Sequence, residues 1–135
     1  MSSSALALQK AIYSALSTNA QLVSQLGGAR IHDDVPQTEL FPYVTFGQST
    51  LRDADTTSAA GDEHVFTLHV WSRAQGRREA YAIIDTLRTG LHDEHLVLEG
   101  HVLVNLRHEF SEVRRTADGE TIHGIVRFRA VTEPA

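Results

Sequence analysis

Eight histidines stand out in a chain of 135 residues that contains no cysteine. Imidazole ligates metals and moves protons near neutral pH, so histidine spacing decides what chemistry is on offer. His92 and His95 lie three apart and flank Asp93 and Glu94. A zinc protease needs His-Glu-x-x-His on one helical face, with the glutamate as general base. The His-Asp-Glu-His run falls instead where a helix is expected to end, and there the side chains fan out. His64 and His69 fall in one expected strand region, and His101 and His108 in another. A site assembled across strands, such as His69 with His108, stays open at this level. A histidine-dependent metal enzyme is therefore carried as the less favoured reading, with no metal ligand assigned.

Other chemistries find less support. A nucleophilic serine needs a base held against it, and no Gly-x-Ser-x-Gly elbow is present. The run Gly27-Gly28-Ala29-Arg30 lacks the lysine and hydroxyl residue of a phosphate loop. It also follows a helix, whereas phosphate binding uses the start of one. Glu109 and Glu112 sit three apart in an expected strand and so point to opposite sides. That spacing argues against a paired acid and base. Trp71 reads as a core or sheet-edge aromatic filling space above the helices rather than a ligand platform. The expectation is a chain that is not an enzyme and holds no cofactor.

Composition narrows the partners. The formal net charge is −5, and the arginines at 77–78 and 114–115 are isolated pairs. A protein that grips DNA usually shows a basic stripe. The acidic balance suits a surface that DNA can pass without sticking. Hydrophobic residues make up 41% of the chain, as in ordinary globular domains. No stretch approaches the ~20 apolar residues that span a bilayer. The first residues, Met1-Ser2-Ser3-Ser4, lack the basic start and apolar run of a signal peptide. The reading is one domain over residues 1–135, made in the cytoplasm and free of membrane.

The elements that must position these residues follow from periodicity. Leu8, Ile12 and Leu16 recur at helical spacing, supported by Ala5, Ala7, Ala11 and Ala15. Ser17-Thr18-Asn19 interrupts that helix, and a short second turn carries Leu22, Val23 and Leu26 up to Gly27-Gly28. Residues 30–35 are expected to be extended, leading to Pro36. Tyr43-Val44-Thr45-Phe46 begins a strand reaching about Arg52. Residues 53–62 read as a flexible loop of Asp, Ser, Thr, Ala and Gly. In residues 65–71, both faces are partly apolar, which predicts a central strand. Ala80, Ile83, Ile84, Leu87 and Leu91 form the stripe of a second long helix. Val102, Val104 and Leu106 alternate with Leu103, Asn105 and Arg107 in a strand reaching about Val113. Asp118-Gly119 marks a short hairpin turn, since both residues tolerate positive φ. The last strand sets Ile122, Gly124, Val126, Phe128 and Ala130 against Ile125, Arg127 and Arg129. The fold class expected is α+β, a mainly antiparallel sheet with two main helices packed on one face.

The ordered segments resemble a family. Four pieces carry the likeness: residues 7–28; Arg30-Ile31-His32-Asp33-Asp34-Val35-Pro36 with Phe41-Pro42-Tyr43-Val44; Val70-Trp71-Ser72-Arg73 with Gly76; and residues 118–130. Together they resemble small tail-completion proteins of long-tailed phages, prophages and gene transfer agents. The resemblance implies a tail terminator: a ring, expected to be a hexamer, that caps the tail tube and ends its polymerisation. It implies the major tail tube protein and a head-tail connector as partners, DNA passing through a lumen, and residence in a virion-type tail. A connector, a stopper or another minor tail protein is the alternative. No catalytic residue is implied.

A ring joins unlike patches head to tail. The expected patches are the acidic residues Asp53, Asp55, Asp62 and Glu63 on one side and Arg127 and Arg129 on the other. Residues 53–62 are also the segment expected to order when a ring assembles.

Overall fold

The structure is a computed structural model that describes residues 3–34, 40–57 and 59–135. The expected extension through Val35 and Pro36 lies outside the described residues. Helix α1 spans Ser4–Ser17 and helix α2 spans Ala20–Leu26. Strand β1 covers Ile31–His32, β2 covers Tyr43–Asp53 and β3 covers Asp62–Ser72. Helix α3 spans Arg78–Leu91. Strand β4 covers Val97–Leu98, β5 covers His101–Arg115 and β6 covers Ile122–Pro134.

Local chemistry sets the boundaries of α1 and α2. Ser3 caps α1 by accepting from the Leu6 N–H. Asn19 caps α2, its Oδ1 accepting from the Leu22 N–H at 3.1 Å. Gly27 closes α2 in the left-handed conformation. The apolar stripe of α1 buries Leu8, Ile12 and Leu16, and that of α3 buries Ala80, Ile83, Ile84, Leu87 and Leu91.

The six strands form one sheet in the order β1-β2-β3-β6-β5-β4. The long strands pair antiparallel throughout; only the short β1 joins β2 in parallel. All three helices contribute to a single core against one face of the sheet. Helix α1 touches both β1 and β4, the strands at opposite edges, so the sheet curls around the helical layer. Val44, Phe66, Leu68, Val70, Leu106, Val126, Phe128 and Ala130 face that layer and are buried. Burying each larger side chain contributes about 1.5–3 kcal/mol. Helix α3 comes so near the sheet at Gly124 that a Cβ there would lie 2.9 Å from Ile84 Cδ1 and 3.2 Å from Val70 Cβ. A larger residue there would force the end of the Ile84 side chain and Val70 to give way.

Several expectations need correction. Three strands, not two, follow α3, because Val97–Leu98 adds a two-residue strand on β5. Along β5 the expected alternation fails. Leu103 and Leu106 are both buried, whereas Val102 and Val104 are 50% and 45% exposed. A register shift between Leu103 and Asn105 inserts one residue, and a strand changes face with every odd step. The Asp118-Gly119 turn is longer than a two-residue hairpin, since β5 and β6 pair last at Arg115 and Ile122. Of the two residues only Gly119 adopts positive φ. Asp118 acts through its carboxylate instead, accepting from Thr116, from Thr121, and from the backbone N–H groups of Glu120 and Thr121. These hydrogen bonds, the Thr116 one first, hold its carboxyl well below the usual carboxylate range. The loop expected over residues 53–62 is shorter, because Asp53 and Asp62 are themselves paired as the last rung of β2 and β3.

Candidate assembly surfaces

The β2–β3 tip is built by its own polar groups. The Ala54 N–H donates to the Gly61 carbonyl and the Thr56 N–H to the Ala59 carbonyl, each at 2.8 Å. Asp55 accepts from the Gly61 N–H at 2.8 Å. At the base, Asp62 accepts from the Ser4 hydroxyl at 2.8 Å, which ties the tip to the start of α1. Asp53 and Asp55 are both exposed residues.

The structure brings two of the charged candidates together within one chain. Arg129 donates from Nε and Nη2 to Glu63 Oε2 at 3.0 and 2.6 Å. This is a charge-assisted pair on half-buried strand positions. Arg52 approaches the other Glu63 oxygen at 3.7 Å. Arg127 lies over the Phe110 ring at 5.0 Å. Sequence alone missed this pairing. Val65 and Arg129 are directly opposite on β3 and β6, so Glu63 sits diagonally across from Arg129, but only the register reveals it.

The sheet face without helices holds a stacked cluster. His69 Nδ1 and His123 Nε2 share a hydrogen bond of 2.7 Å. His123 stacks on Trp71 at 4.0 Å with planes 6° apart. Trp71 stacks in turn on Tyr43 and donates from Nε1 to Thr45 Oγ1 at 3.1 Å. Phe41 lies beside Tyr43, and Arg73 sits over the Phe41 ring at 4.4 Å. Gly47 leaves room for the His69 ring, since a Cβ there would collide with it. Burial lowers the pKa of His69, with Arg114 adding to the effect. Burial likewise lowers His123 to about 4, assisted by His69 and then Arg114. The cluster thus holds neutral imidazoles at pH 7.

These histidines do not assemble the site left open by the sequence. His69 faces His123, while His108 lies on the helix side, edge-on to Phe128 and 2.6 Å from Ser111 Oγ. His92 accepts from the His108 backbone N–H at 3.0 Å. His64 is buried, and burial lowers its pKa; it bonds Thr132 Oγ1 at 2.9 Å. Among the described residues no three His, Asp or Glu side chains gather as a metal-binding group. The Ser111–His108 pair, invisible in the sequence, is solvent-exposed on the helix side of β5.

The arginines on the helix-free face are engaged by their own chain. Arg114 pairs with Glu112 at 3.3 Å, Arg107 with Asp93 at 3.7 Å, and Arg129 with Glu63. Arg115, on the opposite side of β5, donates to the Gly119 carbonyl. Such a face is not a bare phosphate-binding stripe. No helix among the described residues is long and apolar enough to cross a membrane.

The chain thus presents one curled sheet, one helical layer and surface charges largely paired within itself. The chain belongs to the family of tail completion protein gp17, whose family model matches residues 10–133. It is a structural component of a virion-type tail and not an enzyme. It is 28% identical over 123 residues to the tail completion protein gp17 of Bacillus phage SPP1, covering 91% of this chain and 90% of that one. A solved chain from the virion of a native gene transfer agent particle matches with a TM-score of 0.88. That chain is 31% identical, with 98% of this chain and 99% of that chain covered. A further solved chain, 16% identical with a TM-score of 0.59, shares the fold.

Proposed function

We propose that the chain is a tail terminator. Six copies form a ring on the head-proximal end of the tail tube, stop its polymerisation and dock to the head connector. The observation that supports this most directly is the near-complete match to a chain of a gene transfer agent virion, at a TM-score of 0.88. The partners are further copies of the chain, the major tail tube protein and the connector, with DNA passing the lumen unbound. Head-to-tail closure needs two unlike patches on each subunit. The acidic tip, with Asp53, Asp55 and Asp62, supplies charge on one of them, and Arg127 supplies charge on the other. Glu63 and Arg129 contribute by holding β3 and β6 together at that place.

Electron microscopy of tails made without this protein tests the function. A terminator's absence yields tails of uncontrolled length that fail to join heads. Tails of normal length that still fail to join heads would point instead to a connector or stopper. Normal, head-attached tails would remove the assignment.

A further inference from the structure

The sheet ends on two strands that are only partly covered. β1 pairs with β2 at Val44 and Thr45, and among the described residues nothing pairs with that edge beyond them. On the other side, β4 covers the start of β5. The exit of α3 covers its middle, where the Asp93 N–H donates to the Leu106 carbonyl and the His108 N–H donates to His92 Nδ1. Past that point the outer edge of β5 has no strand beside it among the described residues. Open edges of this kind template pairing with another chain.

Bulges then set the usable lengths. The shift in β2 falls between Phe46 and Ser49, so its regular open run is residues 49–53. The second shift in β5 falls between His108 and Phe110, so its regular run is residues 110–115. Neither run contains proline. Following the pairing across the sheet, β2 opposes β3, β3 opposes β6 and β6 opposes β5. β2 and β5 therefore run in opposite directions, and a neighbour that continues the sheet meets this edge antiparallel.

We propose that a second copy of this chain occupies the edge. Residues 49–53 of β2 pair antiparallel with residues 111–115 of the neighbour's β5, with Arg52 opposite the neighbour's Glu112. This deepens the ring reading and rests on it. Side-chain alternation fixes the choice of register, because an odd shift would turn the helix side of one sheet against the open side of the next. Leu51 shares the helix side with His64, and Val113 shares it with Gly124. In the proposed register Leu51, 48% exposed in the single chain, covers Val113. Arg52 and Glu112, whose side chains are 80% and 43% exposed, meet on the open side. Shifting by two residues one way sets Arg52 against Arg114. Shifting the other way sets it against Phe110 and leaves Leu51 on Ser111. One register therefore satisfies both the apolar and the charged pair, and it uses every regular residue of the β2 run.

The test exploits the absence of cysteine. Arg52→Cys and Glu112→Cys are introduced singly and together, and tails containing each variant are purified and oxidised. The double variant is expected to give a ladder of covalent multimers on non-reducing gels, and each single variant only monomer. A covalent dimer from Arg52→Cys alone would mean two β2 edges meet about a two-fold axis, which overturns the proposal. Rings visible on tails without a ladder would overturn the edge pairing and leave the ring reading intact. Tails in which no ring contains this chain would overturn both. Charge reversal checks the register without cysteine: Arg52→Glu or Glu112→Arg alone should cut ring occupancy on tails several-fold, and the pair should restore it. A double reversal no better than the singles would overturn the register.

Discussion

Acid should loosen this fold through its buried imidazoles, His123 most of all. His123 titrates at about 4 in the folded chain, because burial, His69 and Arg114 all disfavour its charge. An exposed imidazole titrates near 6.5. Between those values the unfolded chain takes a proton that the folded chain refuses, so stability falls as pH falls. The loss starts near pH 6.5 and is complete once pH drops below about 4. Taken at face value, a shift of this size corresponds to about 3.4 kcal/mol. His123 is only partly buried, however, and solvent screens its neighbours, so about 1–2 kcal/mol is the working expectation. Asp118 acts in the opposite range. Its carboxyl is held low in the fold, so its contribution is present above the ordinary carboxylate pKa and disappears only in stronger acid. Urea unfolding at pH 7.0 and 4.5 measures the effect. With a slope of about 1–2 kcal/mol/M, the midpoint should drop by about 0.5–1.5 M more in the native chain than in His123→Gln. The glutamine keeps a hydrogen-bonding partner for His69 without titrating. Trp71 is the sole tryptophan and lies 4.0 Å from His123, so its fluorescence reports the same protonation locally. Equal pH dependence in both proteins would refute the reasoning.

Three further outcomes follow from packing and charge. Gly124→Ala should cost about 1–3 kcal/mol in urea or thermal unfolding, because the new methyl meets Ile84 and Val70 under α3. Gly47→Ala should displace the His69 ring; the expected signs are a changed Trp71 emission and a weaker acid response, and an unaltered emission spectrum would contradict it. Arg127→Glu should fold normally, since the side chain is exposed, yet weaken ring assembly by about tenfold or more, as read by ring occupancy on purified tails. Arg129 is unsuitable for that experiment, because reversing it also breaks its bond to Glu63.

The parts of the fold with one uninterrupted period were legible in the sequence. Ile83, Ile84, Leu87 and Leu91 keep helical spacing, and Ile122 through Ala130 alternate without a break, so both burial patterns were predictable. Asn19 and Gly27 announced the ends of α2. The rest depended on register. Two bulges in β5 shift its faces, so the alternation at Val102 and Val104 pointed the wrong way. Glu63 and Arg129 are 66 positions apart and looked like charges awaiting another subunit, until the β3–β6 register set them side by side. His69 met His123 rather than His108 for the same reason, since β6 rather than β5 lies beside β3. A cross-strand pair is a property of two segments and a shift between them, and no single segment encodes it.

Edge pairing also accounts for when a ring should form. Joining two five-residue runs antiparallel makes about five backbone hydrogen bonds, each contributing roughly 1 kcal/mol net. The Leu51–Val113 and Arg52–Glu112 contacts add about 1 kcal/mol together. Against this stands an association cost of at least about 4 kcal/mol. One such contact therefore leaves a dissociation constant near or above the millimolar range. A closed ring makes two contacts per subunit, and a tube end that holds neighbours side by side raises their effective concentration steeply. The bulges limit each run to a length that is too weak to polymerise alone. The isolated chain is accordingly expected to sediment as a monomer at about 10 μM and to enter rings only when tube ends are added. Stable rings of the isolated chain at that concentration would show that surfaces beyond the two edges carry most of the binding energy.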